Sequence, residues 1–446
     1  MNRRIMGTET EYGLLIKRDK YHPFECPNGE AHMIVDSATF SPKIGTFFAN
    51  GSRFYADLGQ HMEYATPEDS SILGTVANEI AGERNTYLTC ENARESGIIH
   101  DFSLNKRVID DDGNSWGHHE NFLVPKSVTI NEKSLALLGL HVVTVSIFTG
   151  AGAVLTNKRG EGYYTISQKA LRLEEDYSLA TTKSKPVVNL RNEPLAAADR
   201  WSRIHVTQGD SNMSPWAMAM RLGTISLVLK LIEHQVDLSE FYLKDPLYKA
   251  GISIATDLSL KNRLELANGK TIKAVDIQRE LMNAVRKLEK GDDINNEERW
   301  VLNEWERACD DIEANRNKLS DRADWVAKLI ILEECVLRDD LDWDSRKLKD
   351  IDKLWGNLSP SGLGQRFRNS LWSDWMPPEN LIKERQVSPP EDTRAKIRGR
   401  FINRFSSSKD KKDVNWDSLE YCTGKISILD PYQNNNQQLE ELLRVA

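Results

Sequence analysis

Between Arg4 and Leu15 polar and apolar residues alternate around Glu9 and Glu11, a period of two that reads as a strand with both glutamates on one face. The same alternation runs from Gly51 to Tyr64 around Tyr55, Asp57 and Glu63, and again over Ser202–Gln208, which ends in the turn Gly209–Asn212. Further along the period changes. Ser214-Pro215 is an N-cap and first-turn pair, and Met218, Leu222, Ile225, Leu229, Ile232 and Val236 follow at helical spacing. Ile277, Leu281, Ala284, Val285 and Leu288 make a second amphipathic helix that stops at Gly291, and Arg299–Ile312 and Asp324–Leu337 read as two more. Strands followed by helices predict an α+β fold rather than a doubly wound sheet. Val387-Ser-Pro-Pro reads as a hinge, Ser406–Asp413 as a solvated loop, and Asn434–Gln438 as a polar turn before a last helix. The expected division is a large domain over residues 1–370 and a small one over 371–446.

A chain of 446 residues exceeds what one hydrophobic core organises, in line with that division. A net charge of −8 gives no reason to expect nucleic acid, and an acidic partner would have to be caught by a local basic groove. The five cysteines (Cys26, Cys90, Cys309, Cys335, Cys422) are scattered without a CxxC, which predicts reduced thiols rather than disulfides or zinc. The N-terminus is too polar for a signal peptide, and the most apolar run, Leu135–Val154, is interrupted by His141, Thr144, Ser146 and three glycines. A cytoplasmic protein without a membrane span is expected.

Two familiar phosphate loops are absent. Gly269-Lys270-Thr271 ends like a P-loop, but Leu264 stands where its first glycine belongs, and Asn268-Gly269 reads better as a hairpin turn. Gly150-Ala-Gly152 lacks the third glycine of a dinucleotide fingerprint, since Leu155 occupies it. A nucleotide would therefore be bound on a sheet, through metal ions and side chains. Glu9 with Glu11, Arg53 with Tyr55 and Asp57, and His61 with Glu63 each share a strand face. Mg²⁺ takes hard oxygen ligands, and facing carboxylates supply them. A solvated face with paired charges would carry the same residues, but three such sets together concentrate a repulsion that a metal relieves. Arg203 and His205 share another face. Gly113–Phe122 packs polar groups between aromatics, and Thr181–Lys185 and Asn189–Pro194 place positive charge near a turn, suited to a phosphate or an acidic peptide.

RRIMGTETEYG (Arg3–Gly13), NGSRFYADLGQHMEYAT (Asn50–Thr66), GNSWGHHENF, LATTKSKPVVNLRNEP, RIHVTQGDSNMS, DTRAKIRGRF (Asp392–Phe401) and VNWDSL (Val414–Leu419) occur in this order. Together they resemble the family of the Pup ligase and the Pup deamidase (depupylase), over nearly the whole chain. Met62 stands where that family has proline, Leu195-Ala196 replace a His-Ala pair, and a double asparagine before GNSWG is missing.

The resemblance implies a glutamine-synthetase-like antiparallel sheet with packed helices and a small C-terminal domain. It implies Mg²⁺ at Glu9, Tyr55 and Glu63, Asp57 as catalytic base, and ATP contacts at Arg53, Thr66 and Trp416. Glu11, Arg203, His205 and Arg394 would line the site. The partners implied are Pup, or a Pup-like small acidic modifier, and lysine-bearing target proteins. The ligase forms an isopeptide bond through a γ-glutamyl phosphate and marks targets for proteasomal degradation. The deamidase branch carries a long insertion between the first strand and the NGSR segment, and the short spacing from Glu9 to Arg53 matches the ligase branch. Deamidation of Pup on the same site, ligation of small-molecule substrates, and mere binding of a Pup-like tail are the alternatives.

Overall fold

Strand β1 (Met6–Lys17) is twelve residues long, enough to serve several neighbours at once. The structure is a computed structural model describing residues 3–445 apart from 58, 112, 129, 180–183, 192, 194 and 290–293. In chain order follow β2 (Lys43–Ile44), β3 (Phe47–Phe48), β4 (Arg53–Ala56), β5 (Met62–Ala65), β6 (Asp101–Asn105), β7 (His118–Pro125) and the separate hairpin of β8 (Ala153–Thr156) with β9 (Gly162–Thr165). Then come β10 (Glu175–Ser178), β11 (Pro186–Asn189) and β12 (Trp201–Val206). They assemble as a ten-stranded sheet in the order β10-β11-β12-β7-β1-β5-β4-β3-β2, with β6 on the far half of β1. All pairings are antiparallel except β10 with β11. On one edge β1 pairs Met6–Thr10 with β7 and Gly13–Lys17 with β6; on the other, Glu9–Tyr12 pairs with β5.

The expected α+β architecture is thus present, with one difference at the second alternating segment. Gly51–Tyr64 is a hairpin of β4 and β5 rather than one strand, reversed over residues 57–61, where Asp57 N–H donates to the His61 carbonyl at 2.9 Å. The reason is local: a left-handed Gln60 (φ 64°) turns the chain back beside Gly59, where a Cβ would come within 2.9 Å of the His61 ring. Met62, at the position where the family has proline, is a buried strand residue paired with Tyr12 and Ala56.

Helices cover the other face of the sheet. Pro215–Glu233 starts where Ser214 Oγ accepts from Ala217 N–H, and it ends before Val236, which the apolar spacing had included. Ile72–Glu95, Glu132–Thr144, Ala274–Glu289, Asn296–Asn315 and Asp324–Asp339 complete the helical layer, and Asn295 and Glu298 form a capping box. Met6, Phe122, Val124, Ile204 and Val206 of the sheet meet Trp216, Ile225, Trp305 and Trp325 in the main core. Glu132–Thr149 and Pro215–Glu233 are long and apolar enough by composition to cross a membrane, but 72% and 100% of them is buried inside the protein. Gly269 does sit in a turn, at φ 82°, between β13 (Arg263–Glu265) and β14 (Thr271–Lys273).

A separate cluster joins Ile397, Phe401, Ile402 and Phe405 of the Ala395–Phe405 helix to a three-stranded sheet of β15 (Lys412–Val414), β16 (Ser418–Tyr421) and β17 (Gly424–Ser427) and to the last helix, Gln437–Val445. Ile44, Phe47 and Ala49 reach into it from the large sheet's edge. The residues just after 370 pack elsewhere. Trp372 is buried against Trp355 and Phe367, and the Glu379–Val387 helix lies on Ile72–Glu95, tied there by Arg84 to Glu379 at 2.8 Å.

Candidate active site

Alternation sorts the sheet into two faces. Thr8, Thr10, Tyr12, His118, Glu120, Met62 and Tyr64 point toward the helices and are buried. Glu9, Glu11, Tyr55, Glu63, His119, Asn121, Arg203 and His205 share the opposite face. The register aligns Glu11, Glu63 and Tyr55 across β1, β5 and β4, and sets Glu9 opposite His119. Glu9 Oε2 lies 3.5 Å from His119 Nδ1 and 3.9 Å from His205 Nε2.

This row is electrostatically tense. Burial and the charge of Glu9 push the Glu63 carboxyl well up, with Glu11 and Asp57 adding to the effect. Burial works in the same direction on Glu9, but His119, His205 and Arg203 outweigh it and hold that carboxyl ionised. Burial and the carboxylate of Glu63 raise the Tyr55 phenol, and burial with the neighbouring His119 lowers the His205 imidazole, opposed by Glu9. Among the described residues two groups place carboxylate and imidazole atoms within 4.8 Å of one another, Glu9 with His119 and His205, and Glu11 with Asp57 and His61.

Asp57 is the first residue past β4, so its carboxylate is placed by the turn rather than by the pleat. Oδ1 accepts from His61 N–H at 2.7 Å. Burial would raise this carboxyl, and the His61 ring and backbone N–H bring it below its usual range.

Beside Glu9 a cavity of about 100 Å³ opens between the sheet and the C-terminal segment. Glu9, Thr66, Arg203, Arg394 and Trp416 line it, with Gly7 and Asn121 on the sheet side. Gly7 is constrained there, because a Cβ would come within 3.2 Å of Thr66 Oγ1, which accepts from Thr8 N–H at 2.9 Å. The Trp416 indole stands edge-on to Phe47 at 5.1 Å, with the Arg398 guanidinium 4.8 Å over its ring. Arg53 lies just outside the lining. Its Nε donates to Thr46 Oγ1 at 3.0 Å and its guanidinium covers the Tyr55 ring at 4.2 Å.

The structure therefore brings Glu9, Glu11, Tyr55, Asp57 and Glu63 onto one surface, and Thr66, Arg203, Arg394 and Trp416 around the adjoining cavity. Of the two basic segments, residues 181–183, 192 and 194 lie outside the described residues. Lys185 donates to Ser115 Oγ at 2.9 Å, and Arg191 pairs with Glu193. Sequence reasoning gave no role to His119 or Glu68, and it paired His61 with Glu63 on a strand face, whereas His61 lies in the turn just before β5. Only the strand register sets His119 beside Glu9, and only the fold brings Arg394 and Arg398 to Glu68. The doubled histidine in GNSWGHHENF was the available signal, since one of the two must face the acids.

Comparisons with known proteins place the chain in a family. The model of the Pup-ligase protein family matches residues 4–420. Pup–protein ligases of Acidimicrobium ferrooxidans (32% identical, 99% of this chain and 98% of that protein) and Kineococcus radiotolerans (31%, 99% and 99%) are similar over their whole length. A crystal structure of the complex between the prokaryotic ubiquitin-like protein Pup and its ligase PafA superposes with a TM-score of 0.88 at 27% identity, covering 100% of this chain and 92% of that one. A PafA structure in complex with ADP matches at 0.81 and 28%, covering 93% and 92%. On a shared fold, a shared family model and full-length relatives, the chain belongs to the Pup ligase family.

Proposed function

We propose that the chain is an ATP-dependent carboxylate–amine ligase of the cytoplasm. It joins the side-chain carboxyl of the C-terminal glutamate of Pup, or of a Pup-like modifier, to lysines of target proteins and so marks them for proteasomal degradation. The observation that carries this reading is the full-length kinship with Pup–protein ligases in a chain whose acid row is intact.

Mg²⁺ suits this row, because Glu9 and Glu63 offer hard oxygen ligands and their mutual repulsion is what a divalent ion relieves. Glu9, Tyr55 and Glu63 are the residues assigned to hold it. When bound, it supplies charge neutralisation at the phosphoryl group being transferred. Thr66 and Trp416 are assigned to the nucleotide from the cavity and Arg53 from the neighbouring strand, with the indole offering a flat apolar surface to the base.

In the reaction the modifier's carboxylate oxygen takes the γ-phosphoryl group of ATP, and ADP leaves. The acyl phosphate has the leaving group that a carboxylate lacks. A lysine arrives as an ammonium and gives one proton to Asp57. Its nitrogen then bonds to the acyl carbon, the carbon–oxygen bond to phosphate breaks, and the second proton goes to solvent. Residues from about 395 onward, with Trp416, form the small domain in this proposal, and the join falls between Val387 and Arg394.

Incubation with ATP, Mg²⁺, a peptide ending in Gly-Gly-Glu and a lysine-bearing protein tests this reading. The expected product is an ATP-dependent isopeptide conjugate, found by mass spectrometry. Deamidation of a glutamine-ended peptide without any joining would overturn it.

A further inference from the structure

The turn between β4 and β5 is closed by Asp57 itself. His61 N–H donates to Asp57 Oδ1 at 2.7 Å, and the His61 ring folds back over the same carboxylate. Its Nδ1 lies 3.5 Å from Asp57 Oδ2 and 4.0 Å from Glu11 Oε2, buried and without a hydrogen bond of ordinary geometry. The ring's other face lies on Trp116, with centroids 5.1 Å apart and planes 25° from parallel.

Trp116 is fixed in turn. Its carbonyl accepts from Lys169 Nζ at 2.5 Å, its backbone N–H donates to the Val108 carbonyl at 3.2 Å, and Gly13 makes room for its indole. A Cβ on Gly13 would come within 2.8 Å of the indole. Beside the stack lies a cavity of about 520 Å³ lined by Gly59, Gln60, His61 and Trp116. The imidazole therefore has space to swing away from Asp57, and the indole is what keeps it in place.

We propose that His61, held flat by Trp116, is the positioning residue that aims Asp57 at the acceptor lysine. The inference rests on the ligase reading and on Asp57 as its base. One carboxylate oxygen is tied by the His61 backbone and the other is steered by the ring, so the free lone pairs of Asp57 keep one direction. That is the role a third group plays when it orients a catalytic base. The 3.5 Å separation leaves room for the contact to shorten to an ordinary hydrogen bond.

The test separates aminolysis by lysine from aminolysis by hydroxylamine, which is unprotonated at neutral pH and needs no base. In His61→Ala and Trp116→Leu, joining to lysine should fall about 10–100-fold in kcat, with KM for ATP within about twofold of wild type. Hydroxamate formation from the same modifier and ATP should stay within about twofold of wild type, which a misfolded variant would not manage. His61→Asn keeps an amide N–H near the position of Nδ1 and should recover part of the lysine reaction. A parallel loss of hydroxamate would overturn the proposal by placing His61 in the phosphorylation step. A rise of about tenfold or more in the Mg²⁺ requirement would overturn it by making His61 a metal ligand. Wild type that forms neither product would instead remove the ligase reading beneath it.

Discussion

Glu68, three residues past the end of β5, accepts a 2.7 Å hydrogen bond from Nε of Arg394, a residue 326 positions further along the chain. Arg398 binds the same carboxylate through both terminal nitrogens and also donates to the carbonyls of Trp416 and Gly51, at 3.1 Å each. One largely buried acid thus joins the catalytic sheet to the segment that carries Trp416.

Replacing Glu68 with Gln should loosen this joint and leave two arginines buried without their anion. Burial alone would raise the Glu68 carboxyl, but the two guanidiniums hold it at about 2, against an ordinary value near 4.5. A folded-state value below the unfolded one means stabilisation that is fully present above about pH 4.5 and is lost as the pH falls toward 2. Its size is about 3 kcal/mol. Urea unfolding of wild type and Glu68→Gln should differ by that amount from pH 7 down to pH 5, and the gap should close as the pH falls from about 4 to 2. A gap that does not change with pH would contradict the clamp.

Trp416 both packs against Phe47 and Arg398 and lines the cavity, so its loss should be felt twice. Trp416→Ala should weaken nucleotide binding about tenfold and destabilise the nucleotide-free protein by about 1–2 kcal/mol, because the indole is only partly buried. Trp416→Phe should keep most of both. Calorimetric titration with ADP and thermal melts would decide it, and unchanged ADP affinity in the alanine variant would remove Trp416 from the nucleotide site.

Glu63 is strained in the metal-free protein, since burial and the Glu9 charge both oppose its ionisation. Glu63→Gln should therefore leave the metal-free melting temperature unchanged or slightly raised, while abolishing ATP turnover even at saturating Mg²⁺. An ordinary exposed ion pair contributes only about 0–1 kcal/mol and its loss would spare activity. Near-normal turnover in this variant would show that Glu63 is not a ligand.

Asp57→Asn is nearly isosteric but takes no proton, and its Oδ1 can still accept from His61 N–H. ATP affinity and binding of the modifier's tail should persist, while isopeptide formation falls by about 10²–10⁴-fold. Retained ligation would take Asp57 out of the mechanism, and lost ATP affinity would make it a binding residue instead.

Part of the acid row was legible because a period of two fixes which residues share a face within a strand, so Glu9 with Glu11 and Arg53 with Tyr55 could be paired before any contact was seen, while the family resemblance put Glu9, Tyr55 and Glu63 together. What the pattern did not contain was which strand lies beside which. His119 reaches Glu9 only through the β1–β7 register, and β7 is separated from β1 by about a hundred residues of chain. Asp57 was misplaced onto the strand because alternation continues past the turn, and the reversal rests on the left-handed Gln60. The expected division at 370 rested on no packing signal, and no periodicity in the sequence shows that Trp372 is buried against Trp355.

β1 behaves like a reading frame. Its odd and even positions face different worlds: Glu9 and Glu11 the chemistry, Thr8, Thr10 and Tyr12 the core. Inserting one residue before Glu9 would exchange the two sets, burying the acids among helices and exporting Tyr12, so a single length change would cost both fold and catalysis. Length can vary only in the connections, such as the one from Lys17 to Lys43 between β1 and β2.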